Sequence, residues 1–137
     1  MKTLVVEDDA TSRLLLQTIL REYGECQVAV DGKEGLAAFL AAHQSNQPYQ
    51  LICLDIMMPD IDGKEVLGAV RDLEMASGRK PETWAKIVMT TALGDPRTVG
   101  TSYYDLCDNY LVKPIDKAKL LDCLRQLKLI GPAARGG

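Results

Sequence analysis

The stretch QLICLDIMMPDIDG, residues 50–63, decides how this chain folds. A mostly apolar run, residues 50–54, meets an aspartate, Asp55. Three more apolar residues and a proline follow before the chain turns polar. A short apolar run bounded by turn residues reads as a strand buried on both faces, which is how strands look in a parallel sheet. An aspartate at the end of such a strand is usually a helix cap or a turn former. The rest of the chain decides whether that plain reading holds for Asp55.

Outward from this stretch, strand-like and helical patterns alternate. KTLVV (2–6), CQVAV (26–30), KIVMT (86–90) and NYLVK (109–113) are compact and β-rich, and Asp31-Gly32 stops the second. Leu14, Leu15, Thr18, Ile19 and Tyr23 recur at helical spacing and predict a helix over 10–22, ended by Gly24. KEGLAAFLAAHQ (33–44) predicts a second helix. GKEVLGAVRDLEMA (63–76) predicts a third, with Val66, Leu67, Val70 and Leu73 on one face. A weaker helix is expected over 95–106, with Asp95 as its cap, Pro96 at its first position and Gly100 against it. A last amphipathic helix, 116–129, stops at Gly131-Pro132. Five strand–helix units in a row predict an α/β fold: a five-stranded parallel sheet, strand order 2-1-3-4-5, with helices on both faces in the flavodoxin-like manner.

The bulk properties agree with one domain. The chain has 137 residues, read as a domain over 1–130 and a flexible tail over 131–137. Apolar residues make up 47%, enough for a packed core, and the net charge of −3 argues against a nucleic-acid face. No apolar run approaches the ~20 residues that span a bilayer. The N-terminus turns acidic without a signal-peptide cleavage region, so a cytoplasmic protein is expected. Cys26, Cys53, Cys107 and Cys123 are scattered without a CxxC pair, which argues for small buried hydrophobes over a zinc site.

Ligands of such sheets bind at the carboxyl ends of the strands. There the first strand ends in Glu7, Asp8 and Asp9, the third in Asp55, the fourth in Thr90 and Thr91, and the fifth in Lys113 followed by Pro114. Packed carboxylates repel, so a divalent cation is expected among them. An all-oxygen donor set favours Mg²⁺ or Mn²⁺. The single histidine, His43, falls in the second helix and is expected at the surface. A carboxylate beside such an ion can attack phosphorus, with Lys113 neutralising one phosphoryl oxygen and the Thr91 hydroxyl donating to another. Asp55 is therefore read as a phosphoryl acceptor. Asp9 is read as the cap of the first helix, and Thr90 as strand packing.

LVVEDDATSR, LICLDIMMPDIDG, IVMTTA and YLVKPID, in this order and spacing, resemble the receiver domain of two-component response regulators over residues 2–129. The resemblance implies that Asp55 is the phosphorylated residue. Glu7 and Asp8 would be the acidic pair at the metal, with Asp8 the more direct ligand and the backbone carbonyl of Met57 a further one. It makes Thr91 the switch hydroxyl, Lys113 the family lysine, Ala92 the small residue that leaves room for the phosphoryl group, and Pro114 the proline after a cis peptide. Tyr110 matches the aromatic that changes rotamer with Thr91, with core filler as its alternative reading. The implied partners are a sensor histidine kinase or a phosphotransfer protein, plus an unidentified downstream protein. They would meet a face built from the helix at 95–106, the strand at 109–113 and the helix at 116–129. Neither nucleic acid nor membrane is an implied partner, and the protein would be a monomer or a phosphorylation-dependent dimer. The expected activity is regulatory: self-catalysed phosphoryl transfer with slow loss of the group, rather than turnover of a substrate.

Two features depart from the family pattern. DLCD stands where a small Ala-Gly-Ala-like turn is usual, and the segment running to Trp84 is long, read as a tolerated surface loop with Trp84 as its anchor. Met57 and Leu93 should border the path of an attacking water and, being apolar, cannot orient it. The methionine start and short tail point to a stand-alone regulator, against a receiver cut from a longer protein. Two other classes stay open: a degenerate receiver that binds partners without phosphorylation, and an aspartate-nucleophile phosphatase. The phosphatase lacks its second aspartate, because Met57 occupies that position.

Overall fold

The computed structural model describes residues 1–92 and 106–132. The elements are β1 (Thr3–Val6), α1 (Ala10–Leu20), β2 (Cys26–Ala29), α2 (Gly32–Gln44), β3 (Leu51–Asp55), α3 (Gly63–Ala76), β4 (Lys86–Ala92), β5 (Asn109–Lys113) and α4 (Lys117–Gln126), with short 3-10 turns at Arg21–Tyr23 and Pro81–Thr83. The five strands form one sheet in the order β2-β1-β3-β4-β5. Every neighbouring pair is parallel. This is the sheet expected from the sequence.

Period-two alternation splits the strand side chains between two cores. Leu4, Val6, Ile52, Leu54, Ile87 and Met89 join Phe39 of α2 and Val66, Leu67 and Val70 of α3. Val5, Cys53 and Val88 face the other way, onto Leu16, Ile19 and Leu20 of α1 and Leu120, Cys123 and Leu124 of α4. Covering on both faces explains why LICL reads as an unbroken apolar run. Among the described residues no helix is long and apolar enough to cross a membrane.

Several local expectations need correction. On α1 the buried stripe is Leu16, Ile19 and Leu20, whereas Leu14 and Leu15 face solvent. A stripe at 16, 19 and 20 satisfies the same periodicity, and only the packing of α1 on the sheet chooses between them. β4 runs on to Ala92, beyond the predicted end at residue 90. α4 stops at Gln126 rather than 129. There Lys128 takes a left-handed conformation (φ 61°), and the Leu129 amide donates back to the Leu124 carbonyl, a C-terminal cap achieved without glycine. His43 is half-buried and stacks on Phe39. Cys53 and Cys123 are buried, Cys26 and Cys107 half-buried, and all four are free thiols. Residues 95–105 of the helix expected at 95–106, with its capping residues Asp95 and Pro96, lie outside the described residues, as do Leu93 and the end of the expected tail, and Leu106 stands in a turn.

The segment after α3 is more than a surface loop. Arg71 is buried on α3; its Nη1 donates to Glu74 Oε1 (2.7 Å) and to the Ala85 carbonyl (2.9 Å), its Nη2 to Asp108 Oδ2 (3.0 Å) and its Nε to the Leu106 carbonyl (2.8 Å). The other Glu74 oxygen accepts the Ala85 amide at 2.7 Å. Trp84 packs its ring against the Arg71 guanidinium and donates from Nε1 to the Arg79 carbonyl. Arg71 thus joins the end of α3, the entry to β4 and the entry to β5. The expectation that Trp84 anchors this segment is met.

Candidate functional site

β1, β3, β4 and β5 end side by side. Beyond β1 the chain turns at once into α1, because the Asp9 carboxylate caps that helix by accepting the Ser12 amide at 2.9 Å. The turn leaves Glu7 fully buried and Asp8 exposed. β3 delivers Asp55, which is 2% exposed. The Ile56 amide still pairs with the Thr90 carbonyl (3.0 Å), so the strand is held up to the residue after Asp55. The Met57 amide then folds back to donate to Asp55 Oδ1 at 3.0 Å. Behind this bend Gly63 is packed so tightly that a Cβ there would sit 2.3 Å from the Asp55 carbonyl oxygen.

Lys113, the last residue of β5, reaches across this end of the sheet. Its Nζ donates to Glu7 Oε1 at 2.8 Å and lies 3.3 Å from Asp55 Oδ2. Glu7 Oε1 also accepts the Asp9 amide at 3.2 Å. The other Glu7 oxygen, Oε2, is buried and has no hydrogen-bond partner. Glu7, Asp8 and Asp55 each place a carboxylate oxygen within 4.8 Å of the others, a group that could hold a metal ion.

The electrostatics point the same way. Burial, then the Glu7 charge, pushes the Asp55 carboxyl up to about 6, against the opposing pull of Lys113 and the Met57 amide. The Asp8 carboxyl is also raised, by its partial burial and then by Asp55. Burial by itself would lower the Lys113 ammonium; its hydrogen bond to Glu7 and the charges of Asp55 and Glu7 outweigh that and raise it. Crowded acids of this kind become comfortable once a cation joins them. The donor set is all oxygen, and the orphaned Glu7 Oε2 is a buried acceptor in need of a partner. The residues therefore fit a hard divalent cation.

The remaining expected residues stand around this cluster. Thr91 is buried, with its hydroxyl turned to the Ala92 carbonyl at 3.4 Å. Ala92 pairs with Lys113 in the β4–β5 register. The Lys113–Pro114 peptide is cis. Tyr110, on the outer strand β5, is half-exposed. Thr90 is buried in the sheet opposite Asp55, and its hydroxyl has no hydrogen-bond partner. Met57 is exposed and Met58 buried. Two contributors were not anticipated. Gly63 permits the close approach to Asp55, and Arg13 donates from Nη1 to the carbonyls of Glu7 (2.9 Å) and Asp8 (3.4 Å). The glycine had a signal, standing just inside a helix behind an aspartate cap. Arg13 had none, because contacts to carbonyls leave no trace in residue types.

A 2-1-3-4-5 parallel sheet with an acidic cluster and a lysine at its carboxyl end defines a receiver. The family described as response regulator receiver domain matches residues 3–125, and this chain belongs to it. The chain is 35% identical over 127 residues to a probable transcriptional regulator, ycf27, of Cyanophora paradoxa, covering 92% of this chain and 47% of the relative. It is 32% identical to the sensor protein GacS of Pseudomonas syringae pv. syringae, covering 98% of this chain and 14% of that protein. The chain thus spans about half the length of the first relative and a small part of the second. Among solved structures it is similar to the response regulator TrrA of Thermotoga maritima in complex with Mg²⁺-BeF, with TM-score 0.73, 31% identity and coverage of 92% of this chain and 97% of that one.

Proposed function

We propose that this receiver, over residues 1–130, is a phosphoryl-accepting switch with Asp55 as the acceptor. Receivers pair with sensor histidine kinases, and the donor here is the phosphohistidine of such a kinase or of a phosphotransfer protein. An Asp55 carboxylate oxygen attacks phosphorus, the P–N bond breaks, and its electron pair stays on the imidazole, which takes up a proton. Lys113 pairs with a phosphoryl oxygen, and Thr91 donates its hydroxyl to another. Ala92 leaves space for the group, and the cis peptide before Pro114 belongs to the turn that carries Lys113. Glu7, Asp8, Asp55 and the Met57 carbonyl would hold Mg²⁺, or Mn²⁺, which when bound offsets the repulsion between carboxylates and phosphoryl oxygens.

The observation that carries this reading is the buried Asp55 carboxylate with the Lys113 ammonium 3.3 Å away and two further acids beside it. The similar Thermotoga maritima protein, in complex with Mg²⁺-BeF, supports the same ligand chemistry. On phosphorylation, Thr91 moves toward the new group and Tyr110 turns into the space it leaves. This biases a two-state equilibrium of the output face on β5 and α4. The cytoplasm, where phosphohistidine donors present their group, is the proposed compartment. Incubation with a ³²P-labelled histidine kinase tests the reading. Label should move to the chain and not to an Asp55→Asn variant; label on both, or on neither, contradicts it.

A further inference from the structure

The strongest unassigned feature beside the acid cluster is a cation that does not touch the acids. Arg13 lies one turn into α1, and its own amide donates to the Asp9 carbonyl at 2.9 Å, so the helix fixes its backbone. Its half-buried side chain runs back over the β1–α1 turn. There Nη1 donates to the carbonyl oxygens of two successive acids, Glu7 (2.9 Å) and Asp8 (3.4 Å). Three carboxylates stand close by, yet the guanidinium bonds to the main chain. A positive charge in the first turn of a helix is also disfavoured by the macrodipole, so its place calls for a local reason.

We propose that Arg13 is a positioning residue for the acid pair, holding the peptide planes after Glu7 and Asp8 so that both carboxylates converge on Asp55. The role rests on the metal-binding reading above and deepens it. Glu7 has other restraints: full burial, Lys113 and the Asp9 amide. Asp8 is exposed, and its peptide is held by the Arg13 bond to its carbonyl and by the Asp9 amide's bond to Glu7. Asp8 is therefore the acid whose aim depends most on Arg13. Charge-assisted bonds to two carbonyls restrain the turn more than one neutral bond would.

This role carries a sign that separates it from simple electrostatics. A guanidinium near the cluster repels a dication, so if Arg13 acted only through its charge, removing it would tighten Mg²⁺ binding. A residue that orients ligands does the opposite, and losing such an outer partner typically weakens metal affinity about 10–100-fold. Met keeps the aliphatic stem and removes the charge and the donors; Lys keeps the charge and one donor point.

The test is a Mg²⁺ titration by calorimetry of the full chain, Arg13→Met and Arg13→Lys, with thermal unfolding in EDTA beside it. Arg13→Met should bind Mg²⁺ about tenfold more weakly. Arg13→Lys should fall between it and the parent, and the midpoints in EDTA should stay close together. Equal or tighter binding by Arg13→Met overturns the positioning role while leaving the metal reading intact. Absence of Mg²⁺ binding by the parent overturns the metal reading, and the Arg13 role with it. If Arg13→Met does not fold, Arg13→Lys decides: weaker binding than the parent supports the role, and equal or tighter binding overturns it.

Discussion

The Lys113 ammonium lies 2.8 Å from Glu7 Oε1 and 3.3 Å from Asp55 Oδ2, so one cation from β5 is shared by the acids that end β1 and β3. It is the partner that makes their crowding tolerable, and in the proposed phosphoryl transfer it would become the partner of the incoming oxygen. Lys113→Met should therefore separate two properties. Mg²⁺ should bind several-fold more tightly, because a competing positive charge is gone, while phosphorylation of Asp55 should slow at least tenfold. Calorimetry and the rate of adduct formation measure the two, and a parallel loss of both would contradict the assigned role.

The Asp55 carboxyl, pushed up to about 6 by burial and then by Glu7, makes stability depend on pH. Its folded-state value lies above the ordinary 3.8, so between roughly pH 4 and 6 the folded chain holds a proton that the unfolded chain releases. Stability is therefore lost as pH rises through that window. In EDTA, the thermal midpoint of the parent should fall from pH 5 to pH 7.5, and Asp55→Asn should be the more stable protein at the upper end. Raising Mg²⁺ at pH 7.5 should narrow the gap. Parallel midpoint curves for the two proteins in EDTA would refute this.

Arg71 and Glu74 are a buried ion pair, their side chains 8% and 4% exposed. Removing Arg71 strands the buried Glu74 carboxylate, at a cost of about 3–5 kcal/mol, whereas neutralising Glu74 leaves Arg71 paired with Asp108. Urea unfolding should show that loss for Arg71→Met, and a smaller loss for Arg71→Met combined with Glu74→Met than the two single changes sum to. An Arg71→Met change costing under about 1 kcal/mol would show that the cluster is not held as a unit.

Met57 has an apolar side chain, is 43% exposed, and bonds through its amide to Asp55 Oδ1. Such a side chain cannot orient an attacking water. Met57→Asn should shorten the lifetime of the aspartyl phosphate several-fold, followed by loss of the adduct mass over time. An unchanged decay would remove Met57 from the account.

The fold was legible because strands buried on both faces give unbroken apolar runs, and because turn and cap residues such as Asp31-Gly32 and Asp9 punctuate them. The acid cluster was legible because topology sends every strand end to one place. The spacing of Leu14, Leu15, Thr18, Ile19 and Tyr23 marks the first helix but not its buried face, because periodicity defines a stripe only to within a residue or two. Arg71 and Glu74 sit in the third helix pattern as ordinary charged residues; their burial depends on Asp108 and on the Leu106 and Ala85 carbonyls, which are distant in sequence or featureless in it. Arg13 escaped for the same reason.

The most direct measurement is the intact mass of the chain after incubation with acetyl phosphate, with and without Mg²⁺, beside Asp55→Asn. A single phosphoryl adduct that requires Mg²⁺ and is missing from the variant is the predicted result. An adduct that persists in Asp55→Asn, or forms equally in EDTA, would contradict the assignment of Asp55 as the acceptor in a metal-assisted site.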